Sequence, residues 1–334
     1  MTKRRQVILL MLGCLLVMVM FVAAGTGAYY IAPWKIPSIL WERGEGFSIL
    51  IYIRFPRVVL GCLVGAILAV AGCSLQGLFR NPLADPGLLG INAGAGLGAA
   101  VWIVLVGGQV AGIWGVPFAA FVGAWGVTWM AWKLSQSSEG RILVATLLLA
   151  GIALNSFAGA GIGLMTFVAD EQQLRSLTFW MLGGLGGATW KLLMVTGMFG
   201  AIGVFLQIRK AHALNLMTFG ESDAYHMGVE IESLKRQVIF GATLSVAVAV
   251  AASGGIGFIG LVVPHLLRMF GGAEHRFLMW ASAMGGSILL ITADLIARTA
   301  VAPAELPVGI LTALIGAPFL TWLLLRNKEK VLYA

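Results

Sequence analysis

Ten apolar runs separated by short polar segments constrain the fold of this chain more than any other feature. A helix needs about 20 mainly apolar residues to cross the hydrocarbon of a bilayer. The eighth run is short and is not expected to cross as a simple helix. We predict spans over residues 6–31, 58–79, 88–108, 112–132, 142–168, 190–208, 236–252, 256–271, 277–297 and 307–325. The fold class is therefore an all-α polytopic membrane protein with about ten transmembrane helices.

Composition excludes the other broad classes. Of the 334 residues, 59% are apolar and 11% are charged, whereas soluble domains carry about 25% charged residues. An ordinary cytosolic enzyme and a disordered chain are both excluded. The net charge of +8 does not indicate a nucleic-acid partner, because the basic residues lie in short loops between the apolar runs. A lipid bilayer is the expected surrounding.

The basic residues also predict the orientation. Lys and Arg accumulate in cytoplasmic loops of membrane proteins. With the N-terminus inside, 15 of the 22 basic residues fall on the cytoplasmic side. The other seven are Lys35, Arg43, Arg54, Arg57, Arg175, Lys191 and Arg298. The N-terminus and C-terminus are both predicted to be cytoplasmic. The first apolar run exceeds the usual signal-peptide core of about 7–15 residues, so we interpret it as a retained first span.

No residue pattern predicts a catalytic or metal site within this chain. Cys14, Cys62 and Cys73 lie inside apolar runs without paired spacing, which excludes a disulfide framework or a zinc site. The four histidines do not cluster at the centre of any span. The sequence contains no phosphate-binding loop of the GxxxxGK[ST] type, so nucleotide chemistry is assigned to a partner.

The acidic residues argue against transport driven by an ion gradient. A proton-coupled carrier usually has an ionisable group near the centre of a span. Here Asp294 is the deepest acidic residue, near the outer end of its span, and it is predicted to pair with Arg298 one turn later. A secondary transporter driven by protons or sodium remains an alternative of another class. An intramembrane enzyme using Ser287 and His265 is a weaker alternative.

Glycine pairs spaced by four residues predict close helix packing. Small residues at this spacing allow helix backbones to approach closely in lipid. The pairs are Gly61/Gly65, Gly94/Gly98, Gly159/Gly163 and Gly183/Gly187.

Several long motifs resemble one transporter family. The first block is RFPR at 54–57 followed by QGLFRNPLADPGLLG at 76–90, and the second is GGIGFIGLVVPH at 254–265 followed by AELP at 304–307. Together they closely resemble the permease subunits of the ABC importers for iron chelates, haem and vitamin B12. The resemblance covers essentially the whole chain and is strongest to haem permeases. It implies the type II ABC importer permease fold, with 1–334 forming one transmembrane domain.

The resemblance also implies a function and its partners. The chain would be one half of a homodimeric permease in the bacterial inner membrane, with a translocation path on the dyad. Two cytoplasmic ATPase subunits would supply energy, and a periplasmic binding protein would deliver the cargo. Haem is the expected cargo, with a ferric siderophore and cobalamin as alternatives. No permanently bound cofactor is expected, and the permease itself is not expected to be an enzyme.

Four groups of residues receive roles through this resemblance. Arg54, Arg57 and Arg298 are predicted to dock the binding protein, because the planar guanidinium group binds carboxylates in a bidentate manner. The predicted cytoplasmic gate contains Asn81, Leu83 and Val144. The segment of about 209–237 is predicted to contact the ATPase through short helices. Its candidate residues are Gly220, Glu221, Asp223 and Gly228. Candidates for lining the path are Met165, Phe167, Trp180 and Met181.

Overall fold

The computed structural model describes residues 2–27, 29–107 and 111–331, and these residues contain no β-strand. Residue 108, the last of the third predicted span, lies outside the described residues. The α-helices in chain order are α1 (Lys3–Gly25), α2 (Ile36–Glu42), α3 (Phe47–Ile49), α4 (Phe55–Leu78), α5 (Ile91–Val101), α6 (Gly115–Ser135), α7 (Val144–Val168), α8 (Glu171–Leu182), α9 (Trp190–Ile208), α10 (Ala211–Met217), α11 (Glu221–His226), α12 (Ile231–Ser253), α13 (Ile259–Gly271), α14 (His275–Ala297) and α15 (Val308–Val331).

Ten apolar helical segments appear among the described residues, as the sequence predicts. Seven are long and apolar enough to cross a membrane, and the shorter apolar helices around α5, α13 and α15 complete the set. The first two spans have boundaries that differ from the prediction. The first helix ends at Gly25 and not at residue 31, and the second span is a continuous helix over Phe47–Leu78 that includes a π-helical turn at Leu50–Arg54. The expected start at residue 58 was wrong because Arg54 and Arg57 find partners inside the protein and therefore do not end the helix.

The eighth span is short, as expected, because the chain leaves the helix at its outer end. α13 has 13 residues, which corresponds to about 20 Å and falls short of the roughly 30 Å hydrocarbon core. Residues 254–258 between α12 and α13 are not helical. Non-helical backbone at membrane depth is tolerated only where protein covers it or water reaches it. Gly254 and Gly255 meet this condition, since they lie against the carbonyl groups of Trp180 and Met181 at the end of α8.

Two helices form the centre of the subunit and the others surround them. In both α4 and α12, 78% of the apolar window is buried, whereas in α1 only 11% is buried. α4 packs against α14, α13, α12 and α9, and α5 packs against α6 and α7. α1 packs mainly against α14 and leaves most of its surface to the bilayer.

Glycines allow these helices to touch backbone to backbone. A Cβ atom built on Gly65 of α4 would lie 2.3 Å from the carbonyl oxygen of Gly286 on α14. A Cβ atom on Gly72 would lie 1.9 Å from the Gly260 oxygen on α13. Cβ atoms on Gly94 and Gly98 of α5 would lie 2.4 and 2.1 Å from the Gly123 and Ala119 oxygens of α6. The pairs Gly61/Gly65 and Gly94/Gly98 therefore pack closely, as the sequence predicts. By contrast, neither Gly159 nor Gly163 of α7 has a neighbouring atom within 4 Å of its Cβ position.

We expect Gly72→Ala to lower stability through steric overlap between α4 and α13. Overpacking of a tight core costs about 1–3 kcal/mol, and both contacting groups here are backbone atoms that move little. The matched control is Gly126→Ala on α6, where no atom lies within 4 Å of the Cβ position. The measurement is the thermal unfolding midpoint of each purified variant in the same detergent. Equal midpoints for the two variants would contradict the packing assignment.

Candidate functional site

A buried ion cluster joins the outer ends of α4, α14 and the segment before α15. The Arg57 side chain donates from Nε to Asp294 Oδ1 at 2.9 Å, and its Nη2 lies 2.9 Å from the same carboxylate oxygen. The same guanidinium group also binds Glu305, with Nη1 to Oε1 at 3.0 Å. Asp294 is 2% exposed, whereas the Glu305 side chain is 50% exposed. Glu305 is therefore the member of the cluster that faces the outer surface.

Arg54 and Arg298 complete this cluster by binding the C-terminus of α1. The last carbonyl groups of a helix have no partner within the helix and carry partial negative charge. Arg54 donates to the oxygens of Ala24 and Gly25, at 2.9 and 2.6 Å, and also binds the oxygen of Tyr29. Arg298 donates to the oxygens of Ala23 and Thr26 at 2.5 and 3.0 Å. The two arginines therefore fix the end of α1 to α4 and α14.

The three arginines predicted to dock the binding protein thus lie together, but each is at most 8% exposed. The predicted ion pair between Asp294 and Arg298 is confirmed, with Nε to Oδ2 at 3.4 Å. The sequence analysis missed the bond from Arg57 to Asp294 and the role of Glu305. Arg57 lies more than 230 positions from both Asp294 and Glu305 in the sequence, so helical spacing predicts neither contact. The position of Glu305 in the AELP motif is the feature of the sequence that could have indicated its role.

The loop predicted to form the cytoplasmic gate is folded back against α7. Asn81 Oδ1 accepts the Leu83 N–H at 2.9 Å, which closes a turn at the start of the loop. Asp85 then accepts the Gly87 N–H at 2.8 Å and begins a short 3₁₀ helix over Pro86–Leu89. Asn155 of α7 donates to the Gly87 oxygen at 3.1 Å. Val144 is the first residue of α7, so the predicted gate residues belong to two elements that are joined by the hydrogen bond from Asn155 to Gly87.

The segment predicted to contact the ATPase folds into α10 and α11. Gly220 and Gly228, which bracket α11, have φ angles of +118° and +88°. Leu214, Met217 and Ala224 are fully buried and attach the segment to the transmembrane helices. Three large side chains remain exposed, namely Phe219 at 68%, Tyr225 at 67% and Met227 at 46%. We refer to Phe219, Tyr225 and Met227 as the inner apolar patch.

A hydrogen-bond network fixes α10 to the start of α14. Asn215 Oδ1 accepts the His275 N–H at 2.8 Å, and Glu274 Oε1 accepts from Asn215 Nδ2 at 3.4 Å. Burial acts to raise the pKa of Glu274, but the N–H groups of Phe277 and Arg276 together with Asn215 and Arg5 hold this pKa below its usual value. Arg5 of α1 contacts the same carboxylate at 3.7 Å. The N-terminus, α10 and the turn before α14 therefore share one side of the protein.

The four residues predicted to line the path divide between two environments. Phe167 and Met181 are 86% and 37% exposed, whereas Met165 is 9% exposed and packs against α5 and α8. Trp180 borders a cavity of about 380 Å³ that also contains Arg57 and Glu305. Met181 borders a groove of about 590 Å³ between α8 and α15. Three of the four residues therefore lie at an open surface, and Met165 lies in the interior.

One face of α7 is exposed along its whole length and is rich in small residues. The exposed residues include large side chains such as Leu149 and Phe157, which are 67% and 70% exposed. Small residues alternate with them along the face: Ala145, Ala153, Ser156, Gly159, Ala160 and Gly163. α15 exposes a comparable apolar face at Leu314 and Ile315.

The geometry does not assemble the intramembrane enzyme considered above. The Ser287 hydroxyl lies 2.7 Å from the Cys62 carbonyl oxygen and 2.9 Å from that of Ala283. His265 instead packs against the ring of Phe319 at a centroid distance of 5.9 Å. A serine nucleophile requires a base within hydrogen-bond reach, and these two side chains have other partners.

The chain belongs to the FecCD transport family, whose model matches residues 15–326. It is 42% identical to the hemin transport system permease protein HmuU of Yersinia pestis, with 96% of this chain and 97% of the relative aligned. It is 37% identical to the vitamin B12 import system permease protein BtuC of Citrobacter koseri, with 95% and 94% aligned.

A solved structure agrees with the family assignment. A chain of a metal-chelate type ABC transporter, solved in an inward-facing conformation, superposes with a TM-score of 0.86 at 31% identity. The match covers 96% of this chain and 99% of that chain. The fold is thus that of an ABC importer permease, and the protein is a multi-pass protein of the bacterial inner membrane. The predicted family and fold class are confirmed.

We expect Asp294→Ala to destabilise the protein strongly, because it leaves Arg57 and Arg298 without their shared buried carboxylate. Breaking a buried ion pair typically costs about 3–5 kcal/mol. Glu305→Ala removes a half-exposed carboxylate from the same cluster and is expected to cost about 1 kcal/mol or less. The measurement is the thermal unfolding midpoint of the two variants in detergent. Similar losses for both variants would show that Asp294 does not anchor the cluster.

Proposed function

We propose that the chain is the permease subunit of an ATP-driven importer that moves haem from the periplasm to the cytoplasm. The observation that carries this proposal is the inner apolar patch, which lies on α11 and the residues next to its two ends. An exposed apolar patch outside the membrane is typical of a protein-binding surface. It lies on the side of the protein that contains the N-terminal Arg5 and that the positive-inside rule assigns to the cytoplasm. A cytoplasmic ATPase subunit is the partner that we propose for it.

The energy for transport is proposed to come from two such ATPase subunits. The sequence has no phosphate-binding loop of its own, which favours a permease without ATPase activity. Binding and hydrolysis of ATP in the partners would move α10 and α11. In this proposal Gly220, Glu221, Asp223 and Gly228 shape and orient the contact. The cytoplasmic segment of about 209–237 would serve as the coupling element of a single permease domain.

The permease is proposed to be a homodimer with the path on its twofold axis. The exposed faces of α7 and α15 support this arrangement, because small residues allow close contact between helices in lipid. Gly159 and Gly163 have open space at their Cβ positions, so a second copy has room to approach. Phe167, Trp180 and Met181 would then lie around the outer mouth of the path.

The cytoplasmic gate is proposed to form where residues 79–90 meet α7. An apolar constriction excludes water and ions when closed. Leu83 and Val144 would supply the apolar side chains, and the turn at Asn81 would hold Leu83 in position. Weak binding along the remaining path suits a conduit, since the cargo must be able to leave it.

Haem is the cargo we propose, because the Yersinia pestis relative is a hemin permease. A ferric siderophore and cobalamin are the alternatives. The experiment reconstitutes the permease with its cognate ATPase and binding protein in proteoliposomes and measures uptake of all three compounds with and without ATP. We expect uptake of haem that requires ATP. Uptake of cobalamin or a siderophore but not haem would revise the cargo, and uptake driven by a pH gradient by the permease alone would refute the proposal.

Docking of the binding protein is proposed to occur at the outer cluster, with its carboxylates replacing Glu305 on Arg57. Charge reversal of Arg57 would bring three carboxylates together, so Glu305 is the better probe. We expect Glu305→Gln to tighten docking about two- to fivefold, because a surface ion pair is worth about 0.2–1 kcal/mol.

The measurement is the dissociation constant of the binding protein for the permease–ATPase complex in nanodiscs. Glu45→Gln is the matched control, since Glu45 is an exposed acidic residue of the same side. Weaker docking of the Glu305→Gln variant would contradict the exchange of carboxylates.

A further inference from the structure

We infer that Lys235 is a positioning residue that transmits movement of α11 to the start of α7. The inference rests on the proposed function, in which α11 contacts an ATPase and Val144 belongs to the cytoplasmic gate. It adds a physical connection between these two elements. Neither the sequence motifs nor the likeness to known permeases assigns a role to Lys235.

The Lys235 ammonium group connects three parts of the chain. It lies in the second turn of α12 and is 3% exposed. Its Nζ atom donates to Glu221 Oε2 of α11 at 2.9 Å, to the Ile142 carbonyl oxygen at 3.0 Å and to Glu232 Oε1 of α12 at 3.2 Å. An ammonium group has three N–H donors. All three are therefore used, and each bond goes to a different segment or turn.

The same cluster holds both polar groups of the Ile142 main chain. The Ile142 N–H donates to Glu232 Oε2 at 2.8 Å, and its carbonyl oxygen accepts from Lys235. Ile142 itself is 3% exposed and lies two residues before Val144, where α7 begins. The position of the first turn of α7 is therefore set by side chains of α12.

Burial makes this cluster behave as one unit. A charged group that loses its partner in apolar surroundings carries a large free-energy penalty. When one partner of Lys235 moves, the ammonium group therefore follows it and stays bonded, within the range that the backbone of α12 permits. Glu221 is the exposed end of the cluster, with its side chain 42% exposed. A displacement of α11 consequently pulls on Lys235 and, through it, on Ile142 and the start of α7.

α10 is connected in a different direction. Its Asn215 binds His275 at the start of α14, and α14 is held at its outer end by the arginine cluster. Movement of α10 is thus directed to α14 and to α4, against which α10 also packs. Among the contacts described above, the bonds of Lys235 link Glu221 of α11 to Ile142. Ile142 lies two residues before Val144, the predicted gate residue.

The test uses the complete transporter, with both ATPase subunits and the binding protein, in proteoliposomes. Lys235→Met retains the aliphatic stem but removes the charge and the donors. We expect its ATP hydrolysis to continue while the amount of haem transported per ATP falls at least tenfold. Lys235→Arg restores a charged donor and is expected to recover most of this ratio. Lys133→Met, at an exposed lysine near the inner end of α6, is the matched control and should leave the ratio unchanged.

A second readout follows the gate directly. Val144→Cys is introduced after Cys14, Cys62 and Cys73 are replaced, and its thiol labelling rate is compared with and without ATP. We expect an ATP-dependent change that disappears in the Lys235→Met variant while hydrolysis persists. Retention of the change in that variant would overturn the inference.

Glu221→Ala keeps the test decisive where Lys235→Met fails to fold. It breaks only the half-exposed arm of the cluster and leaves Lys235, Glu232 and Ile142 together. We expect it to lower the transport ratio and to abolish the ATP-dependent change in Val144→Cys labelling while ATP hydrolysis continues. An unchanged ratio for Glu221→Ala would leave Lys235 with a purely structural role and overturn the inference. Failure of ATP-driven uptake by the unmodified transporter would instead refute the proposed function.

Discussion

The absence of water from the bilayer core is the constraint on which the rest of this structure depends. Every backbone N–H and carbonyl group at that depth must bond within the protein, so the chain is helical wherever it contacts lipid. The non-helical residues 254–258 and the short 3₁₀ helix Pro86–Leu89 occur where other helices cover them. These two departures from regular helix adjoin the outer cavity and the predicted gate. At these two places, irregular backbone coincides with a region for which a function is predicted.

The same constraint determines how charges are used. An arginine or carboxylate near the hydrocarbon is stable only with partners, and the outer cluster supplies them from four separate segments. Asp294 pairs with both Arg57 and Arg298, and Glu305 binds Arg57 as well. Arg54 and Arg298 satisfy the last carbonyl groups of α1. At the inner side, Lys235 is held in a comparable way by two carboxylates and a carbonyl group. Both clusters join transmembrane helices to segments that carry a half-exposed carboxylate, Glu305 in the outer cluster and Glu221 in the inner one.

Much of the fold was predictable from local features of the sequence, but less of the site was. The ten apolar segments, the short α13 and the close packing at Gly65 and Gly94 follow from run length, composition and small-residue spacing. The pair between Asp294 and Arg298 follows from helical periodicity. The bond from Arg57 to Asp294 and the clamp on Ile142 involve residues far apart in the chain, and no periodicity indicates them. The start of the second span was misjudged for the same reason, since Arg54 and Arg57 look like boundary residues until their partners are known.

The sequence by itself determined that the chain crosses a membrane about ten times. Its basic residues predicted that both ends are cytoplasmic, and its motifs indicated the transporter family. Hydrophobicity and charge are properties of each segment alone, so they can be read without knowing the neighbours. Only the tertiary structure decided that the arginines predicted to dock the binding protein are largely buried, that Glu305 is the exposed member of their cluster, and that Lys235 joins α11 to the segment before α7. These outcomes depend on which distant side chains meet, and that is set by helix packing in three dimensions.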